Sequence, residues 1–141
     1  FRFANIIGAR SGHGVIPDFV RKLSENPHEL VILGDGTQRK SYLLVDECVD
    51  AMLFAAEKGN DQFNVYNIGS EDWIDVRSIA DIICQEMGFN DVYYRFTGGT
   101  RGWIGDVPKM QLSLAKLKDL GWSPRRSSQE SVREAVMAMM G

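Results

Sequence analysis

The sequence predicts an α/β fold, and three observations carry that prediction. Short β-branched and aromatic runs alternate with segments whose apolar residues recur at helical spacing, the pattern of strands covered by helices. Glycines and capping residues stand at the boundaries between these segments. The composition is ordinary for a globular domain: 141 residues, 44% hydrophobic and 25% charged, enough to bury roughly two-thirds of the unfolded surface.

Each element follows from its residues. Phe1 to Ile7 is aromatic and β-branched, too short for a helix, and ends at Gly8, so it reads as a strand. The glycine-rich loop Gly8 to Gly14 leads into a helix from Ile16 to Glu25, with Pro17 tolerated in the first turn and Asn26-Pro27 ending it. Leu30 to Leu33 is a short strand closed by the turn Gly34-Asp35-Gly36, and Lys40 to Val45 is the next strand. Asp46 is placed to cap a helix to Lys58 that buries Cys48, Val49, Met52 and Ala56. Phe63 to Ile68 is a strand, and Asp75 caps a helix carrying Val76, Ile79, Ala80, Ile83 and Met87 up to Gly88. Val92 to Phe96 is a strand; 97–106 has neither period and reads as a functional loop. Ser113 is placed to cap a helix to Leu120, and Ser127-x-x-Glu130 is a capping box opening a last helix with Val132, Ala135, Val136 and Met139 on one face.

Several function classes drop out. No run of about 18 apolar residues is present to span a membrane. The start lacks the basic residues and long apolar core of a signal peptide, and it opens on a strand without Met, as a piece of something longer would. With 16 Lys+Arg against 19 Asp+Glu, the net charge of -3 argues against nonspecific nucleic-acid or anionic-membrane binding. Two cysteines and two histidines without tight spacing do not make a metal site, and Cys48 and Cys84 read as buried free thiols suited to a reducing cytoplasm.

The candidate chemistry is sparse. Gly8-x3-Gly12-x-Gly14 has the wrong spacing for a dinucleotide fingerprint, and no G-K-[ST] follows. His13 and His28 lie in loop contexts and read as solvent-facing, and neither completes a Ser/His/Asp triad. Glu71-Asp72 and Asp46-Glu47 read as caps and surface. Arg39, Lys40 and Arg101 sit beside glycines, where a cation can approach a phosphate without bulk in the way.

Six motifs in order carry a resemblance: Arg2-Phe3-Ala4-Asn5-Ile6-Ile7-Gly8; Gly14-Val15-Ile16-Pro17-x-Phe19; Ile32 to Gln38; Lys40 to Leu43 with Val45-Asp46; Tyr66 to Ser70; and Arg101 to Pro108. Across essentially the whole chain, the sequence resembles the C-terminal portion of an extended short-chain dehydrogenase/reductase. The closest group is the UDP-glucose 4-epimerase-like NAD-dependent nucleotide-sugar epimerases and dehydratases. The resemblance implies that residues 1–141 are the substrate-binding lobe of a larger two-lobed enzyme, with strands that complete a Rossmann-type sheet whose core is absent here. It implies that Asn5 bonds the diphosphate, that main-chain groups of Val31 and Leu33 flank the nucleobase, and that Ile16 lines the same pocket. Arg101 would clamp the diphosphate and Asp106 the ribose hydroxyls, while Phe3 and Ala4 would lie near the nicotinamide. Lys40 stands where the family usually has Arg, so it acts as a point charge rather than a fork.

The resemblance also implies NAD in the complete enzyme, though not bound by this chain alone, a UDP-sugar ligand and a cytoplasmic homodimer. The family's NAD glycine loop and Y-x-x-x-K pair do not occur: Tyr42, Tyr66, Tyr93 and Tyr94 are followed four residues later by Asp46, Ser70, Thr97 and Gly98. Catalysis therefore requires an N-terminal Rossmann half as partner. The expected parent activity is UDP-glucose/UDP-galactose 4-epimerisation; the alternatives are a nucleotide-sugar 4,6-dehydratase and a noncatalytic nucleotide-sugar binding or assembly module.

Overall fold

In the computed structural model, which describes residues 1–102, 105–107 and 109–141, the N-terminal strand changes partners at Ala4. β1 (Arg2–Phe3) and β2 (Asn5–Ile7) form one bent ribbon. The first half runs parallel to β6 (Asn67–Ile68) and the second parallel to β5 (Tyr42–Leu44). Buried Ala4 is the switch: its N–H donates to Ile68 O and the next N–H, of Asn5, donates to Ser41 O. A Cβ on Gly69 would come 2.8 Å from that of Ala4, so the close approach needs glycine there.

The expected strand from Lys40 to Val45 also divides. β4 (Arg39–Lys40) pairs antiparallel with β7 (Ile74–Asp75) and parallel with β9 (Lys109–Met110), whereas β5 joins the N-terminal ribbon. Ser41 is the joint between the two sheets. β3 (Glu29–Ile32) pairs parallel with β8 (Tyr93–Phe96). The expected strand at 63–68 contracts to β6, because Phe63 points into solvent at 82% exposure. Two-residue strands such as β7 and β9 have no period long enough to read.

The helices are α1 (Val15–Glu25), α2 (Val45–Lys58), α3 (Val76–Glu86), α4 (Ala115–Asp119) and α5 (Ser128–Met140). Asp75 caps α3 by accepting from the Ser78 N–H at 2.7 Å, and the capping box of α5 is present in both directions. Asp46 is not the cap of α2: Leu44 takes that position, because the strand runs straight into the helix and puts Asp46 in the first turn. The buried face of α2 is Glu47, Cys48, Ala51 and Ala55, while Val49 and Ala56 are exposed. Ser113 is likewise one residue too early, with Leu114 at the cap of α4.

β5 is the partition of the core. Tyr42 and Leu44 face a cluster with Ile16, Phe19, Leu23, Ile79, Ile83 and Val136, and Leu43 faces a second with Cys48, Tyr66, Ile68, Leu117 and Trp122. Strand alternation thus places successive residues in different layers. Cys48 and Cys84 are free and buried, and burial pushes both thiols up. No helix of the described residues is long and apolar enough to cross a membrane, and among those residues no group of three or more His, Cys, Asp or Glu could hold a metal.

α5 closes the other edge of β5. The fully buried Ser128 hydroxyl accepts from the Tyr42 N–H at 3.0 Å and lies 2.7 Å from the Ser70 hydroxyl, while Asp72 accepts from the Ser128 N–H at 2.9 Å. Glu47, fully buried rather than a surface carboxylate, accepts from Arg126 Nη1 at 2.7 Å and from the Arg125 N–H at 3.4 Å. It ties α2 to the turn before α5. Replacing Ser128 with Ala removes the acceptor for a buried N–H, and equilibrium urea unfolding is expected to show a loss of ~1–3 kcal/mol.

Candidate functional site

A cavity of about 530 Å³ opens where β2, the start of α1 and β4 meet Gly102 and Asp106. Ile7, Ile16, Phe19, Leu33 and Val76 supply apolar lining, and Asn5, Lys40, Tyr42 and Asp106 supply polar groups. Apolar walls with a few placed polar groups are the usual make-up of a small-molecule site. Ile16 and Phe19 are i, i+3 neighbours on the buried face of α1, so the helix that covers the sheet also walls the cavity.

Lys40 and Asp106 form the charged centre. Lys40 Nζ donates to Asp106 Oδ1 at 2.5 Å, and Asp106 Oδ2 accepts from the Gly102 N–H at 3.1 Å. Burial on its own would raise the Asp106 pKa, but the Lys40 ammonium and the Gly102 and Val107 N–H groups outweigh it and hold the carboxylate below its ordinary 3.8. Burial, with the Asp106 charge added to it, pushes the Tyr42 hydroxyl up to about 12. Tyr42 is therefore a neutral phenol at physiological pH, and Asp106 carries the negative charge of the pair.

The expected site residues divide between the cavity and its surroundings. Ala4, Asn5, Ile16, Leu33, Lys40 and Asp106 line it. Asn5 Nδ2 donates to Ser41 O at 3.1 Å, which orients its amide across the joint between β4 and β5. Val31 lies outside the lining, and its carbonyl accepts from Lys22 Nζ at 3.2 Å. Arg101 is exposed and outside the lining, although its carbonyl packs toward Gly34. Phe3 is 46% exposed and stacks on Phe1 at 6.3 Å, away from the cavity. Trp103, Ile104 and Pro108 of the last motif lie outside the described residues.

Gln38, Tyr42 and Phe19 line the cavity and were not among the expected site residues. A signal for two of them was available: Gln38, Lys40 and Tyr42 recur at every second position, the spacing of one face of an extended chain. His13 is exposed and also lines the cavity, so its loop context did not keep it from the site.

The described residues do not amount to a dinucleotide site. Ala4 touches the cavity and Phe3 does not, and Gly14 caps α1 without a side-chain bond. No chemical step is assigned to NAD through these residues.

Residues 1–69 match the model of the NAD dependent epimerase/dehydratase family. A solved UDP-galactose 4-epimerase superposes over 99% of the chain with a TM-score of 0.85 at 37% identity. The UDP-glucose 4-epimerase of Thermotoga maritima, solved with UDP-glucose, gives a TM-score of 0.78 at 30% identity over 99% of the chain. The GDP-L-fucose synthase of Sinorhizobium fredii is 30% identical over 117 residues, or 80% of the chain. The chain spans 44% of each of those two epimerases and 36% of the synthase. It thus corresponds to a portion of an extended short-chain dehydrogenase/reductase.

The depressed pKa of Asp106 makes part of the stability pH-dependent. A carboxylate whose folded pKa lies below its unfolded value stabilises fully above the unfolded value and loses that contribution as pH falls through the folded one. Asp106→Asn is expected to be less stable than the parent chain at about pH 7, with the difference shrinking toward about pH 3 in urea unfolding. A gap that is constant with pH would contradict the Lys40–Asp106 assignment.

Proposed function

We propose that this chain is the C-terminal, substrate-binding portion of an NAD-dependent nucleotide-sugar 4-epimerase acting on UDP-glucose and UDP-galactose. The observation that carries the reading is the cavity itself: an apolar lining beside a buried carboxylate and a half-buried lysine. An apolar wall suits a nucleobase and a carboxylate accepts from a ribose diol. An ammonium attracts a diphosphate. In this reading Leu33 and Ile16 flank the base, Asp106 takes the ribose hydroxyls, and Lys40 and Asn5 hold the diphosphate, with Arg101 closing from the exposed segment. An incoming diphosphate competes with Asp106 for Lys40, which frees the carboxylate to accept from the ribose.

The chain does not supply the chemistry by itself. In the complete enzyme NAD would supply transient oxidation of the sugar at C4, and a tyrosine of the family's Y-x-x-x-K pair on an N-terminal half would accept the proton. The exposed apolar residues of this chain support a covering partner: Phe1 and Phe3 on the ribbon, and Val45, Val49 and Leu53 at i, i+4 and i+8 along α2. The reading carries with it a cytoplasmic homodimer as the complete enzyme.

Calorimetric titration tests the binding role directly. UDP-glucose is expected to bind, and Lys40→Met is expected to weaken it ~10–100-fold, the worth of one hydrogen bond to a charged group. No heat at millimolar UDP-glucose, together with no epimerase activity on mixing with an N-terminal half, would sink the proposal.

The unpaired faces give a second test. A solvatochromic dye is expected to bind the isolated chain and to be displaced by the N-terminal half. A dye-silent, monomeric sample of the chain alone would contradict the partner surface.

A further inference from the structure

Gln38 lines the cavity, and nothing in the binding scheme uses it. It is 2% exposed, and its Nε2 donates to the Leu33 carbonyl at 3.2 Å. That acceptor fixes which end of the amide is which, because the opposite orientation would set two oxygens against each other. Oε1 is then buried with no hydrogen-bond partner among the described residues. A buried, half-satisfied amide is a poor choice for stability alone.

The surroundings are shaped to admit it. Gly34 has φ +81°, and a Cβ there would fall 2.0 Å from Gln38 Nε2. A Cβ on Gly102 would lie 3.7 Å from the same atom, 3.4 Å from Asp106 Oδ2 and 3.7 Å from the Leu33 Cβ. Gly34 therefore makes room for the amide, whereas Gly102 stands at ordinary contact distance from it and donates to Asp106. The Gln38 carbonyl accepts from the Val76 N–H at 3.1 Å, which anchors the backbone to the start of α3. Gln38 thus joins the Leu33 wall to the start of α3.

We infer that Gln38 is a positioning residue of the ligand site: through the Leu33 carbonyl its amide sets the apolar wall against which the base of a nucleotide lies. The inference rests on the nucleotide-sugar reading and deepens it. Leu33 is 48% exposed; Thr97 holds the residues on either side of it, through the Ile32 carbonyl and the Gly34 N–H, and Gln38 is the side chain that holds its own carbonyl. The anion-binding group, Lys40, is held separately by Asp106. Loss of the amide should therefore harm ligands that carry a base and spare those that do not.

The test compares UDP with inorganic pyrophosphate on the full chain by calorimetry, alongside thermal melts. Gln38→Met is expected to melt within about 2 °C of the parent, because the substitution also removes an unpaired buried oxygen. It should weaken UDP ~10-fold while leaving pyrophosphate unchanged. Gln38→Leu, which also loses the donor and adds no charge beside Lys40 and Asp106, should show the same selective loss, and it decides the matter if the first variant fails to fold. Equal weakening of both ligands marks a purely structural role and overturns the inference, as does unchanged UDP binding. Failure of the parent chain to bind UDP at all overturns the nucleotide reading and this inference together.

Discussion

The Ser128 hydroxyl does the work of a missing strand. Among the described residues β5 has a strand partner only on the side of β2, and its Tyr42 N–H would otherwise face an apolar interior. A buried N–H without an acceptor is costly, so the start of α5 must dock there with a hydroxyl in place. Ser70 and Asp72 then fix Ser128 from the opposite side. The dock presses Val132, Ala135 and Val136 into the main cluster and brings Arg126 to Glu47. Both layers of the core depend on that one polar junction, because β5 divides them.

The site inherits this arrangement. With β5 held between β2 and α5, the chain bends at Ser41, and Lys40 leaves for a different sheet from Tyr42. Lys40 consequently reaches Asp106, 66 positions away, while Tyr42 stays beneath the pair as a neutral phenol. Charge and apolar surface end up side by side because two sheets meet at one residue. Glycine does the rest at Gly34, where the backbone comes within reach of the Gln38 amide. The likeness to the NAD dependent epimerase/dehydratase family accords with this geometry, and the coverage of less than half of each relative accords with the apolar faces left open on the ribbon and on α2.

Legibility followed the range of the interaction. Asp75 and the Ser127–Glu130 box were readable because a cap is a bond across three residues. The apolar faces of α3 and α5 were readable because each helix repeats its period for three turns. The face of α2 was misplaced because Val49 and Ala56 compete with Ala51 and Ala55 for the same stripe, and burial is decided by what lies opposite. Glu47 read as a surface carboxylate for the same reason: its partners, Arg125 and Arg126, are 78 and 79 positions away. Within the site, Asn5, Ile16, Leu33, Lys40 and Asp106 could be named from motifs, but Arg101 and Val31 could not be excluded from the lining until the chain was folded.

By itself the sequence determined the α/β class, most helix boundaries, the burial of both thiols and the family resemblance, since each rests on local periodicity, capping or motif order. Only the tertiary structure decided that one strand would become two at Ala4 and another at Ser41, that Lys40 would pair with Asp106, and that Gln38 would stand against Gly34. These are choices among hydrogen-bond partners distant in sequence. The backbone groups at each position would accept several, and the choice is made by which alternative leaves the fewest buried groups unpaired when all the layers close together.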